Sequence, residues 1–448
     1  MKAPDPAKRP GGRRPIERLL TPLQRFAELE ASGGIVLILS TLAALVWANW
    51  GAAHSYDRFF HTPVTVGFGD WLLSKSLQHW INDGLMAIFF FVVGLEIKRE
   101  LLIGELATFR KAALPVAGAL GGMVAPALLY LSLNAGTAEV SGWGVPMATD
   151  IAFVIGALTL LGSRAPSSLK VFLVALAIVD DMGAVLVIAL FYTASISLLA
   201  LYAAAAIFIV LLVLSGLGTR SPLIYSLLGV ALWLALLNSG IHATIAGILL
   251  ALTVPASTRI GTDQLISRGR ELLDKLERAE RSEPTAPTTE EEQNLLAALE
   301  AESERAETPM QRLARTLHPW SVFMIMPVFA LANAGVPLDA GAFSVTSLGV
   351  GVFLGLVLGK PLGISLFAWI AVRSRVAALG EGVTMWHVIG AGCLGGIGFT
   401  MSIFIATLAF DDQALNLAKS AILVSSLAAA LLGGVTLYGV TRRRPAQG

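Results

Sequence analysis

Long apolar stretches separated by short polar ones run through the chain, and the stretches have the length a bilayer demands. About 20 predominantly apolar residues carry a helix across a hydrocarbon core of about 30 Å. On that rule twelve segments are expected, near 34–50, 79–101, 113–133, 143–161, 168–192, 198–215, 222–238, 240–256, 318–335, 346–372, 385–409 and 415–439. Upstream of the first, Ile16, Leu19, Leu20, Leu23, Phe26 and Leu29 recur at helical spacing, which predicts an amphipathic helix at the membrane surface. Residues 257–317 break the rhythm. There RGRELLDKLERAER and EEEQNLLAALEAESERA have helical character, SEPTAPTT (282–289) links them, and 263–310 holds 13 of the 31 acidic residues. Such a charge run reads as a solvated helical insert. The chain therefore divides into a basic arm with its amphipathic helix (1–33), segments 1–8 (34–256), the charged insert (257–317), segments 9–12 (318–439) and a basic tail (440–448).

Charge placement orients these segments. With the N-terminus in the cytoplasm, the 32 Lys and Arg divide as 28 cytoplasmic, three external (Arg58, Lys75, Lys419) and one intramembrane (Lys360). A positive-inside bias this strong predicts a multi-pass protein whose termini and insert are all cytoplasmic. Composition agrees, since 55% hydrophobic residues, 14% charged residues and a mean hydropathy of +0.72 exclude a soluble domain of 448 residues. A net charge of +1 argues against nucleic acid as a partner, and the lone Cys393 excludes a disulfide framework or cysteine metal site, leaving it as a small helix-packing residue. The polar, basic start predicts no removable signal peptide.

Against this apolar background a few residues stand out. Asp180 and Asp181 sit side by side in KVFLVALAIVDDMGAVLVIALFY (170–192). A charge at the bilayer centre costs about 2.5–3.5 kcal/mol on insertion scales, so such residues face polar cavities and handle ions or protons. Asp150, Lys360 and a glycine-rich break at Gly395, Gly396 and Gly398 converge on the same reading. Segments 3–5 and 10–12 form two triads, and an odd number of spans makes the second copy enter from the opposite side. The middle member of each is interrupted: GWGVPMATDIAFVIGAL (142–158) carries Pro146, Thr149 and Asp150, and CLGGIGFTMSIF (393–404) carries the glycines and Thr400. Unwound backbone is tolerable in lipid only where it lines a cavity, and there it exposes helix ends of either sign. Asp150 suits positive N-terminal ends, and Lys360 negative C-terminal ends.

The strings GLEIKREL (94–101), ATDIAF (148–153), ALAIVDDMGA (175–184), SGIHATIAG (239–247), LHPW (317–320), FALANAGV (329–336), GKPLGIS (359–365) and GIGFTMSIF (396–404), in this order, resemble the bacterial NhaA family of sodium/proton antiporters. The resemblance covers nearly the whole chain outside the arm and the insert. That family is itself a standing example of inverted repeats with discontinuous helices, so the repeat reading is not independent of it. The resemblance implies an all-α polytopic membrane protein of twelve transmembrane helices, with inverted-topology repeats (segments 3–5 and 10–12) and crossed, discontinuous segments 4 and 11. It also implies the bacterial inner membrane, and electrogenic exchange of internal Na⁺ or Li⁺ for external H⁺ without a cofactor.

Carried over residue by residue, the family's paired carboxylates are Asp180 and Asp181, its unwound crossing holds Thr149 and Asp150, and GKP supplies Lys360, five residues that the resemblance makes the expected cation- and proton-binding set. Carboxylates, freed carbonyls and a hydroxyl suit a hard monovalent cation, and the absence of clustered Cys and His argues against zinc or copper. Adjacent helical residues point about 100° apart, which allows Asp181 to be the principal Na⁺ ligand and Asp180 the partner of Lys360. Glu96, Arg99 and Glu100 resemble the family's funnel rim and pH-responsive cluster, and His242 resembles a position linked to pH response. His318, followed by Pro319, predicts a helix start. Ala314 and Arg315 stand where strongly alkali-activated members carry an acidic residue and a His, so the pH profile does not carry over. TPVTVGFGDWLL (62–73), with Val64, Val66 and Phe68 alternating, resembles the family's external β-hairpin, which makes a homodimer a family-based expectation.

Two rival readings share some of these features. Tyr56-Asp57 and Gly67-Phe68-Gly69-Asp70 spell the motifs of intramembrane aspartyl proteases, but they lie in a polar external stretch rather than in facing apolar helices. Two carboxylates must share one desolvated site to divide acid and base roles, so no enzyme is expected. A sodium-coupled symporter or a cation channel would use the same intramembrane chemistry and stays as the alternative.

Overall fold

A computed structural model of the chain describes residues 32–50, 53–69, 71–162, 165–193, 196–258, 261–280, 290–337 and 345–442. The expected arm helix, the SEPTAPTT linker and the end of the basic tail lie outside them. Each of the twelve apolar stretches contains helix, and the protein is an all-α polytopic membrane protein with one small β-hairpin.

The helices are less uniform than a 20-residue rule implies. Six are long and apolar enough to cross a membrane alone: Ser32–Asn49, Phe109–Asn134, Ser167–Phe191, Leu198–Gly216, Ser347–Arg373 and Gln413–Arg442. Two bent pairs, in segments 4 and 11, raise the number to eight. Segment 2 is a π turn, Trp80–Leu85, continued by Met86–Ile103, and segment 7 is Pro222–Leu237. Segment 8, expected over 240–256, shrinks to Ile245–Thr253. Gly240 lies at φ +85°, and Ser239 Oγ donates to the Leu236 carbonyl while accepting from Ile241 N–H. These local bonds satisfy backbone that would otherwise extend the helix.

Segment 9 corrects another expectation, because its helix starts at Pro309 and not at His318. Thr308 accepts from Gln311 N–H and the Gln311 side chain reaches back to Thr308 N–H, forming a capping box with Pro309 in the first turn. His318 falls in the last turn of Pro309–Trp320. Pro319 removes one N–H from the ladder, which widens into the π turn Ser321–Ile325 before Met326–Asn333 resumes.

Close packing fixes the centre. Segments 3 and 10 meet where a Cβ on Gly121 would lie 2.1 Å from the Gly363 carbonyl oxygen, and one on Gly363 would lie 2.0 Å from that of Gly121. Only two glycines allow the backbones that near. Segment 10 also carries a π turn, Gly355–Gly359, directly before Lys360. Outside this body, Pro63–Phe68 pairs antiparallel with Trp71–Ser76, setting Val66 opposite Leu73. Asp57 lies on the exposed surface of the short helix Ala53–Phe60, far from the buried carboxylates in sequence and setting. The insert forms two helices, Thr262–Glu280 and Glu290–Ala306, which lie against each other and are joined by Arg268 and Glu302 at 3.2 Å.

Candidate functional site

The site is built where two broken segments cross. Segment 4 is a 3₁₀ helix, Ala138–Met147, then extended backbone to Asp150, then Ile151–Leu160, with a 41° bend. Segment 11 is Met385–Gly395 and Phe399–Ala409, bent by 48°. Pro146 stands in the last turn of the 3₁₀ helix, just before the first break. The glycines of the second do not serve left-handed backbone, since Gly396 lies at φ −69° and Gly398 at φ −87°. They make room: a Cβ on Gly396 would sit 2.4 Å from the Leu356 carbonyl oxygen.

Backbone groups freed by the breaks find partners across the crossing, as an apolar surrounding requires. Asp150 N–H donates to the Ile397 carbonyl at 2.7 Å, and the Thr149 hydroxyl donates to that of Gly395 at 2.9 Å. Ser402 donates to the Val145 carbonyl at 2.8 Å, and Phe399 N–H donates to Ser426 Oγ at 3.1 Å. Asp150 caps two helices at once. Its Oδ1 accepts from Phe153 N–H at 3.2 Å, while Oδ2 accepts from Thr400 N–H at 3.1 Å and from the Thr400 hydroxyl. One carboxylate thereby faces the positive ends of Ile151–Leu160 and Phe399–Ala409. Lys360 serves the opposite polarity. Its Nζ donates to the Thr149 hydroxyl, which passes the polarisation to the Gly395 carbonyl at the C-terminal end of Met385–Gly395.

Lys360, wholly buried, also donates to Asp180 Oδ2 at 2.5 Å. Asp180 and Asp181 are 1% and 3% exposed on the uninterrupted helix Ser167–Phe191. The second Asp180 oxygen, Oδ1, is buried without a hydrogen-bond partner. No described residue donates a hydrogen bond to the Asp181 carboxylate. Unfilled carboxylate oxygens beside an ammonium leave acceptor capacity to spare, the oxygen donors a hard cation takes.

Other expected residues lie elsewhere. On the β-hairpin side the buried rings of Phe90, Phe329 and Phe404 form an apolar layer, with Phe404 centroids 5.6 and 6.0 Å from the other two. His242 stacks edge-on over Phe404 at 5.5 Å, and its Nδ1 lies 2.8 Å from Thr244 Oγ1. Its Nε2 is 3.8 Å from Asp83, which also meets His79 at 2.9 Å. Asp83 is buried and was not singled out in the sequence, although an acidic residue within an apolar segment was signal enough. On the insert side, Glu96 contacts His318 at 2.9 Å, while Glu100 pairs with Arg99 at 3.2 Å and accepts from Glu105 N–H at 2.9 Å. Glu96 and Glu100 therefore have separate partners, and His318 takes the place beside Glu96 that no spacing rule assigned. Arg315 pairs with Glu307 at 2.8 Å. Lys98 donates to the carbonyls of Leu252 and Val254 at 2.6 and 2.5 Å, closing the end of the short segment 8 helix.

Comparison with known proteins agrees with this geometry. Residues 24–437 match the profile of the family described as Na⁺/H⁺ antiporter 1. A Na⁺/H⁺ antiporter NhaA of Oleidesulfovibrio alaskensis is 53% identical over 432 residues, covering 96% of both chains. One from Koribacter versatilis is 49% identical over 427 residues, covering 95% of this chain and 92% of the relative. One from Helicobacter pylori is 46% identical over 425 residues, covering 94% and 96%. A family profile over nearly the whole chain and relatives about half identical to it show that the chain belongs to the NhaA family as a multi-pass Na⁺/H⁺ antiporter, a transporter and not an enzyme.

Proposed function

We propose that Asp181 is the principal ligand of the transported cation, that Asp180 and Lys360 form an ion pair loosened when the cation binds, and that the chain exports Na⁺ or Li⁺ electrogenically against external H⁺. The observation that carries this reading is the unfilled oxygen capacity of Asp180 and Asp181 beside a fully buried Lys360. Three carboxylates and one ammonium share one buried region, and leaving a buried charge uncompensated costs several kcal/mol. A sodium ion or protons must therefore balance the carboxylates in any state that reorients. Arrival of one requires departure of the other, and exchange follows. When the cation draws Asp180 from Lys360, the lysine loses the partner that held its proton. Its deprotonation adds to the protons released by the carboxylates, so more charge leaves as protons than enters as Na⁺.

Thr149, Asp150 and Thr400 position the crossing, and Gly395, Gly396 and Gly398 let it pack. Glu96, Arg99 and Glu100 are read as the funnel rim through which cation arrives from the cytoplasm, with both termini and the insert on that side. A homodimer through the β-hairpin rests on the family expectation and on a strand whose Val64 and Val66 are exposed.

Calorimetric Na⁺ titration from acid to alkaline pH tests the reading. Apparent affinity falls as pH drops, by about tenfold per pH unit for each proton displaced in the range where the carboxylates titrate, and Asp181→Asn abolishes cation-dependent proton release in a folded protein. A pH-independent affinity, or full exchange by the Asn variant, removes these carboxylates from the mechanism.

A further inference from the structure

The insert carries a feature that ion exchange does not use. Its two helices leave an apolar groove of about 550 Å³ along the half nearer the membrane body, with Leu265, Gly269 and Leu299 in the wall. Ile266, Leu273 and Leu296 stand 46%, 52% and 46% exposed along the same pair of helices. Lone exposed leucines need no explanation, but an apolar groove on an otherwise charged helix pair does.

The occupant is argued from the chain itself. Residues 1–31 precede the first described helix and carry seven basic residues against four acidic ones, together with the stripe Ile16, Leu19, Leu20, Leu23, Phe26 and Leu29. Residues 263–310 carry 13 acidic and six basic residues, and most of that excess lies on Glu290–Ala306, one wall of the groove. Opposite charge and matching apolar stripes make the two complementary. Reach is also satisfied. Gly33 packs against Val322, and the base of the insert at Thr308 is fourteen residues back along the same segment, about 21 Å at helical rise. The groove begins beyond that base, at Ser303 and Leu265, about 28 Å from Gly33 by the same rise; residues 16–23 stand nine to sixteen positions before Ser32, and nine residues of chain span up to about 30 Å. The structure also gives the groove a rigid footing: Thr308 caps the segment 9 helix, Arg315 holds Glu307, and Met310 N–H donates to the Pro255 carbonyl at 3.3 Å.

We infer that residues 16–23 dock with Ile16, Leu19, Leu20 and Leu23 in the groove between Thr262–Glu280 and Glu290–Ala306 of the same chain, with residues 24–31 as the connection, making the arm and the insert one assembly at the mouth of the transporter. The test is cross-linking in vesicles containing the full chain, with Cys393→Ser removing its single cysteine. Leu23→Cys with Leu265→Cys, and Leu20→Cys with Leu299→Cys, place thiols on the facing stripes. Thr21→Cys with Glu271→Cys places them on the outer faces. Oxidation is expected to join the facing pairs within one chain at least ten times faster than the outer pair, and adding Leu296→Asp, which puts a charge into the groove, slows the facing pairs at least threefold. Equal rates, no cross-link, or cross-links that join two chains overturn the inference, the last assigning the groove to a second copy. A second measurement does not depend on disulfide geometry: a charged maleimide labels Leu273→Cys at least threefold faster once residues 2–31 are removed. An unchanged labelling rate also overturns it, and leaves the arm to the membrane surface.

Discussion

Lys360 is the residue on which the charge balance of the site turns, because it is the one basic side chain that the division of charges assigns to neither face of the membrane. Breaking a buried ion pair from one side leaves the other charge unpaired, at about 3–5 kcal/mol. Lys360→Ala is therefore expected to lower thermal stability strongly as well as to alter transport, measured by unfolding in detergent and by current in proteoliposomes. Unchanged stability together with unchanged electrogenicity would show that the pair with Asp180 is not what holds either. Thr400 makes a smaller case of the same kind. Thr400→Val removes a hydroxyl that donates to a buried carboxylate, and about 1–3 kcal/mol of stability should go with it. Thr400→Ser, which keeps the hydroxyl, should restore most of the loss in the same unfolding assay. Asp150, Asp180, Asp181 and Lys360 were legible in the sequence because charge is conspicuous in an apolar run. Ser402 and Ser426 were not, since a hydroxyl in a membrane helix usually bonds its own backbone, and nothing in the spacing says that these two bond across the crossing.

At the scale of elements, the breaks in segments 4 and 11 were readable from Pro146 and the glycines, but the reason for the glycines was not. Besides marking the break they make room, Gly396 for the Leu356 carbonyl and Gly395 and Gly398 for the side chains of Ile364 and Leu356. The π turns at Trp80–Leu85, Ser321–Ile325 and Gly355–Gly359 were equally hidden, because one extra residue in a turn leaves apolar composition unchanged. Hydropathy also started segment 9 nine residues late, since its first two turns are polar and lie on the insert side. The close crossing of segments 3 and 10 yields the prediction proper to this scale. Gly121→Ala forces a methyl group against the Gly363 carbonyl, so the helices must part, and overpacking of this kind costs about 1–3 kcal/mol. Gly363→Ala meets the same contact from the other side. The double variant should lose less than the sum of the two, because the first substitution already separates the helices. Melting temperatures of the three variants check this, and full additivity would mean that the two glycines do not share one contact.

For the whole molecule, the division of labour between membrane body and insert makes a direct prediction. The site lies entirely within segments 4, 5, 10 and 11, with support from Ser426 in segment 12, and no described residue of 263–310 approaches it. Replacing 263–310 with a Gly/Ser linker should leave Na⁺-driven proton movement in everted vesicles intact, and complete loss in a correctly inserted protein would make the insert part of the mechanism. Orientation is the remaining global property, and the distribution of charge makes a prediction for it. Lys and Arg resist translocation across the membrane, and short loops with many of them stay in the cytoplasm. With the N-terminus inside, 28 of the 32 fall on the cytoplasmic side and three outside, and shifting the frame by a single span in the middle would move whole clusters, including the nine between segments 8 and 9, to the other face. Reporter fusions at Pro287 and after Arg442 should therefore both report cytoplasm, while one at Thr65 in the β-hairpin should report the opposite face. A periplasmic signal from Pro287 would break the twelve-segment count between the hairpin and the insert, and with it the inverted relation of the two triads that brings Asp150 and Thr400 to one place.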